Sequence, residues 1–431
     1  MASLAVVLII LGCAAYQYFK GTFIKAFSTI IVAVCASIAA FGFFEILANV
    51  FISRGADSRF LTLVPWAQPL CFALLFIIVF GALQTGIMFL TRQPVDLGFM
   101  PERIARVVCG IFLGLILSGF LLTALGMAPL PNKYPYQRFD GTRSKVLLNA
   151  DGFATGLFSI ISKGSLSGKR SFATIHPDFL DQLYLNRQIS GTSILTSKFP
   201  AISVPSKQAV WPASESLREQ VGQIVLELNR QGKLKDELTG KSISMPGPVS
   251  SDYQPTIVRV GINRSALTKK TKINGGAFIL PQLRLICKRQ GYGDDPLAGT
   301  GINIYPIGHL KAADQIQVST EIEIDSKNDF KGNAGEKWID FVFCVPRDYV
   351  PVLVEFKQNS IVEIRPSAIV TADQAPPPEL FTQTSKSQNG SSTSGRPSSS
   401  PTRQPSTRSG SRQRKPSDLR RSIIGDGTDE E

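Results

Sequence analysis

Side chains able to carry out acid–base chemistry are scarce in this 431-residue chain, which has only two histidines. They are His176, in TIHPDF, and His309, in PIGHLK. A serine hydrolase needs a nucleophilic serine in a glycine-rich turn, a histidine base and an aspartate. The chain contains no Gly-Asn-Ser-Gly-Gly or Gly-x-Ser-x-Gly stretch. We therefore expect no enzyme activity, and we interpret each histidine as a surface or capping residue.

Two glycine-rich stretches also fail as cofactor sites. GSLSGKRS, from Gly164 to Ser171, has three residues between its glycines and Arg170 after the lysine. A phosphate-binding loop needs four residues and a hydroxyl side chain at these places. GYGDDPLAGTG, from Gly291 to Gly301, has neither nucleotide-binding nor calcium-binding spacing and is interpreted as a loop. No His and Cys have metal-ligand spacing, so we expect no cofactor.

The six cysteines fall into two groups. One lies in each of the four long apolar segments described below, where a thiol behaves as a small apolar group: Cys13, Cys35, Cys71 and Cys109. Cys287 and Cys344 lie in the more polar half of the chain. If that half is outside the cytoplasm these two can form a disulfide. The alternative is two buried free thiols on strands.

Four apolar segments dominate residues 1–130, and each has about 18 to 25 residues, enough for a helix to cross a hydrocarbon core. They are Ala2 to Phe19, Ala26 to Val50, Ala67 to Leu90, and Val107 to Met127. The first has no basic residue before its apolar run, unlike a signal peptide, so we interpret it as a retained helix. Glu45 is the only ionisable side chain with a carboxylate or cationic group inside the four segments. It is interpreted as an interfacial acid, the alternative being an ion-coupling carboxylate.

Basic residues in the connections predict the orientation. The first and third connections carry more positive charge than the second, where Arg54 and Arg59 are offset by Asp57. Basic connections tend to stay in the cytoplasm, which places both termini outside it. The residues that carry this prediction are Lys20, Lys25, Arg92, Arg103 and Arg106.

Small residues predict close packing of the spans. Gly110, Gly114 and Ser118 recur every four residues along the fourth segment, and Ala82 and Gly86 repeat the pattern in the third. Such a face lets another helix approach closely. We expect packing within a four-helix unit or in a homo-oligomer.

Residues 1–130 resemble the colicin V production protein (CvpA) family of bacterial inner-membrane proteins. The resemblance is carried by YFKGTFIKAFS after the first span and by DLGFMPERIARVVCGIFLGLILSGFLL at the fourth. In that family the arginine stands three residues before the first glycine, whereas Arg106 stands four before Gly110, and Ser118 replaces a third glycine. The resemblance implies a four-span protein associated with toxin production or export and with envelope maintenance, without established enzyme chemistry.

The rest of the chain reads as an α+β region. Helical signals recur over residues 131–250, in NADGFATGLFSIISKG, HPDFLDQLYLNRQ and SESLREQVGQIVLELNRQG, although IVLEL could be partly strand. Residues 251–370 switch to alternating apolar and polar positions between turn residues, which predicts an antiparallel β-sandwich. CVPRDYVPVLVEFK resembles the closing strands of extracytoplasmic immunoglobulin-like sandwiches.

Residues 371–431 are rich in Ser, Pro and Arg and predict a disordered basic tail. The tail could touch anionic lipid or cell-wall polymer. It lacks interleaved aromatics, so the net charge of +13 does not require a specific nucleic-acid partner.

Three functions follow from these patterns. The preferred one is a non-enzymatic membrane scaffold that contacts the lipid bilayer and unidentified envelope proteins or cell-wall polymer. The alternative is a solute or ion transporter, for which the polar side chains considered in the spans are Glu45, Gln68 and Gln84, a small set. An envelope hydrolase is opposed by the missing catalytic residues.

Overall fold

The computed structural model describes most of the chain up to residue 381. The described residues are 2–20, 22–55, 66–90, 99–130, 134–136, 147–163, 171–188, 201–230, 253–267, 275–291, 297–318, 321–325, 327–330, 334–357 and 360–381. Arg92 and the predicted disordered tail beyond residue 381 lie outside these ranges.

Four helices form the N-terminal bundle: α1 (Ala2–Lys20), α2 (Phe23–Gly55), α3 (Ala67–Leu90) and α4 (Phe99–Met127). Each is long and apolar enough to cross a membrane. Large apolar side chains cover their outer surface, and Leu4, Ile77 and Phe89 are each about two-thirds exposed. Such a surface is unfavourable in water and suited to lipid. The chain is thus a membrane protein by the length and surface of its helices.

Helices α1 and α4 pack antiparallel at very short range. A Cβ added to Gly110 would lie 2.5 Å from Ala14 Cα, and one added to Gly114 would lie 2.6 Å from Ile10 Cα. Only glycine permits this approach, because any side chain would push the backbones apart. Ser118, the third small residue of the stripe, is fully buried.

The small residues of α3 behave differently. A Cβ added to Gly86 would meet nothing within 4 Å, and Ala82 is exposed. No described part of the same chain packs closely on this face, so the expectation of an intramolecular contact here is wrong. Contact with a second copy stays a prediction.

Phenylalanine rings fill the centre of the bundle. Phe72 of α3 stacks on Phe120 of α4 with ring centroids 4.2 Å apart, and Phe41 of α2 meets Phe72 edge-on at 4.9 Å. Phe44 and Phe76 belong to the same buried cluster. The interior at this level is therefore apolar.

Three shorter helices follow on the bundle: α5 (Ala150–Lys163), α6 (Phe172–Ile175) and α7 (Phe179–Gln188). A Cβ added to Gly119 of α4 would lie 2.1 Å from the carbonyl oxygen of Ala150, so α5 begins directly against α4. Phe158, Phe172 and Phe179 extend the phenylalanine cluster out of the bundle. The predicted membrane-proximal helices thus share a core with the spans.

Two antiparallel sheets and one strand pair form the β domain. The first sheet has the order β1 (Ile202–Ser203), β3 (Tyr253–Asn263), β10 (Glu336–Pro346), β7 (Pro306–Ala312), β8 (Gln315–Gln317), with β2 (Val210–Pro212) also paired to β3. The second has the order β12 (Ser360–Glu363), β11 (Tyr349–Phe356), β5 (Leu283–Arg289), β6 (Gly301–Ile304). Strands β4 (Gly275–Ile279) and β9 (Glu321–Asp325) pair with each other.

The β-rich stretches expected from the sequence are strands, but some of them divide. FILPQLRLICK forms β4 and β5 on either side of a 3-10 turn at Leu280–Gln282, and the two halves join different sheets. INIYPIG similarly forms β6 and β7. Pro281 and Pro306 lack the N–H that continuous ladder pairing requires, which explains the breaks.

One core lies between the two sheets and confirms an α+β region with packed antiparallel sheets, although the sandwich is not closed. It contains Val260 of β3, Phe341 of β10, Leu285 of β5 and Phe356 of β11. Cys287 belongs to this core, whereas Cys344 belongs to a separate cluster beneath α8 (Glu215–Arg230), which is helical throughout. Both thiols are free, so the disulfide suggested by the sequence is not formed.

The β domain extends past both boundaries expected from the sequence. Strands β1 and β2 come from the region expected to be helical or irregular, and α8 packs Leu217 and Val221 against the first sheet. At the other end, Phe381 is buried in the core between the sheets. Hydrophobic periodicity and composition place the boundaries at residues 250 and 370. The very short strands β1 and β2 and the single buried Phe381 lie beyond them, because they produce no repeating pattern.

Candidate functional site

The segment from Ser171 to Phe179 lies between the bundle and the second sheet. Its Phe172 packs on Phe41 of α2, with ring centroids 5.4 Å apart. On the other side the amide of Ser171 donates to the carbonyl of Leu297 at 2.9 Å, and its hydroxyl donates to that of Gly299 at 3.0 Å. This segment therefore contacts both the membrane helices and the loop leading into the sheet.

A buried ion pair faces this segment from the sheet. Arg284 of β5 and Glu355 of β11 are directly opposite in the strand register, and Arg284 Nη2 lies 2.5 Å from Glu355 Oε2. Each side chain is about 1% exposed. Ions this deeply buried require partners, because removing a charge from water is costly.

Further hydrogen bonds connect the pair to the intervening segment. Arg284 Nη1 donates to Asn303 Oδ1 at 2.6 Å and to the carbonyl of Pro177 at 3.3 Å. Asn303 Nδ2 also donates to the Pro177 carbonyl, at 2.5 Å. Pro177 follows the C-cap residue of α6, and its carbonyl accepts both bonds.

His176 connects the ion pair to the membrane helices. It is the C-cap residue of α6 and is only 4% exposed. Its Nε2 lies 2.8 Å from Oε1 of Glu45 on α2, and its Nδ1 lies 4.0 Å from Glu355 Oε2. We call Glu45, His176, Arg284, Asn303 and Glu355 the junction cluster. Its ionisable groups lie in a row from a membrane helix to the sheet, with no hydrogen bond between His176 Nδ1 and Glu355.

The depth of Glu45 fits this role. It stands 22 positions after Phe23, which at 1.5 Å per residue is about 33 Å along α2, the thickness of a hydrocarbon core. Glu45 is therefore about one core thickness from the start of α2, which continues to Gly55. Its interpretation as an interfacial acid leaves out the partner, His176.

A second polar contact lies beside the cluster. Gln182 of α7 donates to the hydroxyl of Tyr305, which follows β6. Burial raises the pKa of Tyr305 to about 12, against an opposing influence from the Arg284 cation. The phenol therefore stays neutral, which allows a buried position next to ionised groups.

Neither histidine lies on the surface as the sequence suggested. His176 keeps the capping half of that expectation, while His309 on β7 is fully buried and has no hydrogen-bond partner on either ring nitrogen. Burial lowers the pKa of His309 to about 4. Within the described ranges no serine or cysteine hydrogen-bonds to either ring, and no group of three His, Cys, Asp or Glu side chains could hold a metal.

Of the five basic residues used to predict orientation, the four that the structure describes lie together at the far end of the bundle. Lys20 ends α1, Lys25 begins α2, and Arg103 and Arg106 lie in the first turns of α4. Arg103 Nη1 donates to the Tyr18 hydroxyl at 3.3 Å, and Arg106 pairs with Glu102. The β domain lies toward the opposite end, where the junction cluster connects α2 to the second sheet.

The polar side chains weighed for a transport path do not line up. Gln84 donates to Thr29 at 3.4 Å near the basic end, whereas Glu45 is sixteen positions, about 24 Å, further along α2. Phe41, Phe44 and Phe72 are buried between these levels. The described part of the bundle thus offers no continuous polar path.

Comparison with known proteins does not assign the chain to a family. No protein-family model, no curated protein and no solved structure matches it. The resemblance to the CvpA family therefore remains a prediction from the quoted motifs.

Sequence reasoning missed Arg284, Asn303 and Glu355. For the two ions, the available signal was a single charge within an apolar strand, as in LRLIC and VLVEF. A charged side chain in such a strand can be buried only if a partner neutralises it, but the sequence does not identify that partner. His176 was noticed, and its environment was not.

Proposed function

We propose that this chain is an integral protein of the bacterial inner membrane that acts as a non-enzymatic scaffold in the cell envelope. Its four spans hold the β domain against the membrane surface. By its resemblance to the CvpA family it takes part in toxin production or export and in envelope maintenance. Its partners in this role are envelope proteins or cell-wall polymer.

The junction cluster is the observation that carries this proposal. A β domain joined by a flexible tether would need no buried ionic contact with the spans. Here Glu45, in a membrane helix, lies within 2.8 Å of His176, which approaches the Arg284–Glu355 pair. This arrangement supports a β domain held in a fixed position, as a scaffold requires.

The basic end of the bundle supports the orientation. Lys20, Lys25, Arg103 and Arg106 belong in the cytoplasm by the positive-inside rule. The β domain and both termini then lie outside the cytoplasm. This is the compartment in which a scaffold for envelope proteins or wall polymer is useful.

Complementation tests the function. In a bacterium whose own CvpA-family gene has been deleted, we expect the chain to restore at least half of the toxin production. The double variant Glu45→Gln/His176→Gln should restore less than a tenth at equal membrane abundance. No restoration by the unmodified chain, or equal restoration by the variant, would contradict the proposal. Solute or ion flux through the purified chain in liposomes would favour the transporter instead.

A further inference from the structure

The last described residues cross the first sheet as a strap, which we define as residues 376–381. Before it, the amide of Val370 donates to the carbonyl of Val210 at 2.9 Å. The strap has the sequence PPPELF, and its prolines cannot donate to a strand ladder. It is therefore held as an extended peptide on the sheet and does not become a further strand.

Three polar contacts hold the strap. Arg259 Nη2 donates to the carbonyl of Pro377 at 2.6 Å, and the amide of Glu379 donates to Asp340 Oδ2 at 2.8 Å. The amide of Phe381 donates to the carbonyl of Leu310 at 3.1 Å. Asp340 is on β10 and Leu310 on β7, so the strap links these two strands beyond their last paired residues, Phe341 and His309.

The receiving surface is organised by contacts that do not involve the strap. Arg259 and Asp340 form a two-point ion pair with distances of 2.7 and 2.8 Å. The Arg259 guanidinium also lies 5.2 Å from the ring centroid of Trp211. These contacts present one donor and one acceptor in fixed positions to an extended backbone.

One aromatic side chain supplies the apolar part of the contact. Phe381 is 2% exposed, and its ring centroid lies 5.4 Å from that of His309. Lys337 Nζ lies 5.5 Å from the same centroid. In contrast, Pro377, Pro378, Glu379 and Leu380 are exposed. The strap is therefore held by its backbone hydrogen bonds and by one buried ring, and its prolines are not buried.

From this geometry we propose that the surface formed by Trp211, Arg259, Asp340, Leu310 and His309 is a peptide-binding groove, and that it accepts the strap of a second copy of this chain. The strap of another copy makes the same contacts as the strap of the same chain, so exchange needs no new complementarity. Copies held in one membrane share an orientation, which raises their effective concentration.

Peptide binding to the full-length chain in detergent tests the groove. The probe is a fluorescent synthetic peptide, QAPPPELF, which corresponds to residues 374–381. We expect the Phe381→Ala variant, whose own strap lacks the buried ring, to bind it at least tenfold more tightly than the unmodified chain. A peptide with alanine in place of the phenylalanine should not bind. Equal affinity for both chains, or no binding to the folded variant, would overturn the proposal.

A second variant keeps the proposal testable if Phe381→Ala does not fold. Glu379→Pro removes only the amide that donates to Asp340 and keeps Phe381 in place. It should bind the peptide at least threefold more tightly than the unmodified chain. If both folded variants fail to bind, the groove is not a peptide site.

Co-purification of two tagged copies tests the partner. Phe381→Ala has a free groove and no anchoring ring, whereas Asp340→Ala has an intact strap and an impaired groove. We expect the mixed pair to co-purify at least fivefold more than either variant with itself. If the peptide binds but the mixed pair does not co-purify more than the single-variant pairs, a second copy is not the partner. If all pairs co-purify equally, the copies contact each other outside the groove.

Discussion

Nε2 of His176, at the end of the short helix α6, lies 2.8 Å from Oε1 of Glu45 in the second membrane helix. The two residues are far apart in the chain and belong to parts that the sequence assigns to lipid and to water. Their contact joins the bundle to the segment that lies against the second sheet.

Removing either partner of this contact should loosen the junction. For Glu45→Gln and His176→Gln, a double-mutant cycle should give a coupling of about 1 to 3 kcal/mol, as for a hydrogen bond to a charged group. The measurement is unfolding of the chain in lipid nanodiscs, with hydrogen exchange of residues 172–182 as a local readout. The exposed Glu219→Gln serves as a control and should change neither. Additive effects of the two junction variants would show that the contact is not formed.

The buried pair Arg284–Glu355 should show the asymmetry of buried ions. Arg284→Met leaves Glu355 unpaired and should cost about 3 to 5 kcal/mol of unfolding free energy. The double variant Arg284→Met/Glu355→Leu should recover most of this loss, because no unpaired charge remains. Fluorescence of Trp211 and Trp338 during urea unfolding reports the transition. A double variant as unstable as Arg284→Met would mean that the charge is not the cause.

Glycine should be required in α4 but not in α3. A leucine at Gly114 must displace the backbone of α1 at Ile10, and overpacking of this kind costs about 1 to 3 kcal/mol. A Cβ added at Gly86 meets no described atom within 4 Å, so a leucine there should leave the melting temperature unchanged. Thermal unfolding in nanodiscs compares the two. If both variants have the same melting temperature as the unmodified chain, α1 does not pack at Gly114.

His309 makes the β domain sensitive to acid. Burial lowers its pKa from 6.5 to about 4 in the folded state, so between these values the unfolded state binds a proton that the folded state does not. Stability is then full above about pH 6.5 and falls by on the order of 3 kcal/mol as the pH approaches 4. Unfolding curves across this range check the slope.

The control for this pH dependence is His309→Leu, which keeps an apolar side chain of similar size and cannot be protonated. The unfolding free energy of this variant should fall less steeply between pH 6.5 and 4 than that of the unmodified chain. An unchanged slope in the variant would assign the acid sensitivity to other groups.

Much of the fold could be predicted from the sequence, because helices and strands depend on the pattern of apolar and polar residues within short segments. Uninterrupted apolar runs predict the four membrane helices, and alternation in stretches such as TIVRVGI predicts strands. Gly110 and Gly114 predicted a close helix contact by spacing alone. The face with Ala82 and Gly86 carries the same pattern without an intramolecular partner, so spacing does not identify what packs on it.

The junction cluster could not be predicted, because it depends on contacts between distant parts of the chain. Arg284 and Glu355 are 71 residues apart and meet only when β5 and β11 pair in register. A one-residue shift of that register would move one charge to the opposite face. Strand periodicity locates each residue within its strand and gives no information on the neighbouring strand.

Labelling of single introduced cysteines in spheroplasts measures which side of the membrane a residue faces. It therefore shows whether lipid surrounds the bundle and whether the β domain lies outside the cytoplasm. Val318→Cys is on an exposed part of the β domain, and Lys20→Cys is at the basic end of the bundle. The unmodified chain, with its own six cysteines, gives the baseline. With a membrane-impermeant maleimide, we expect labelling at residue 318 in intact spheroplasts and at residue 20 only after permeabilisation. Labelling at residue 20 with protection of residue 318, or release of the chain from membranes by carbonate, would contradict this expectation.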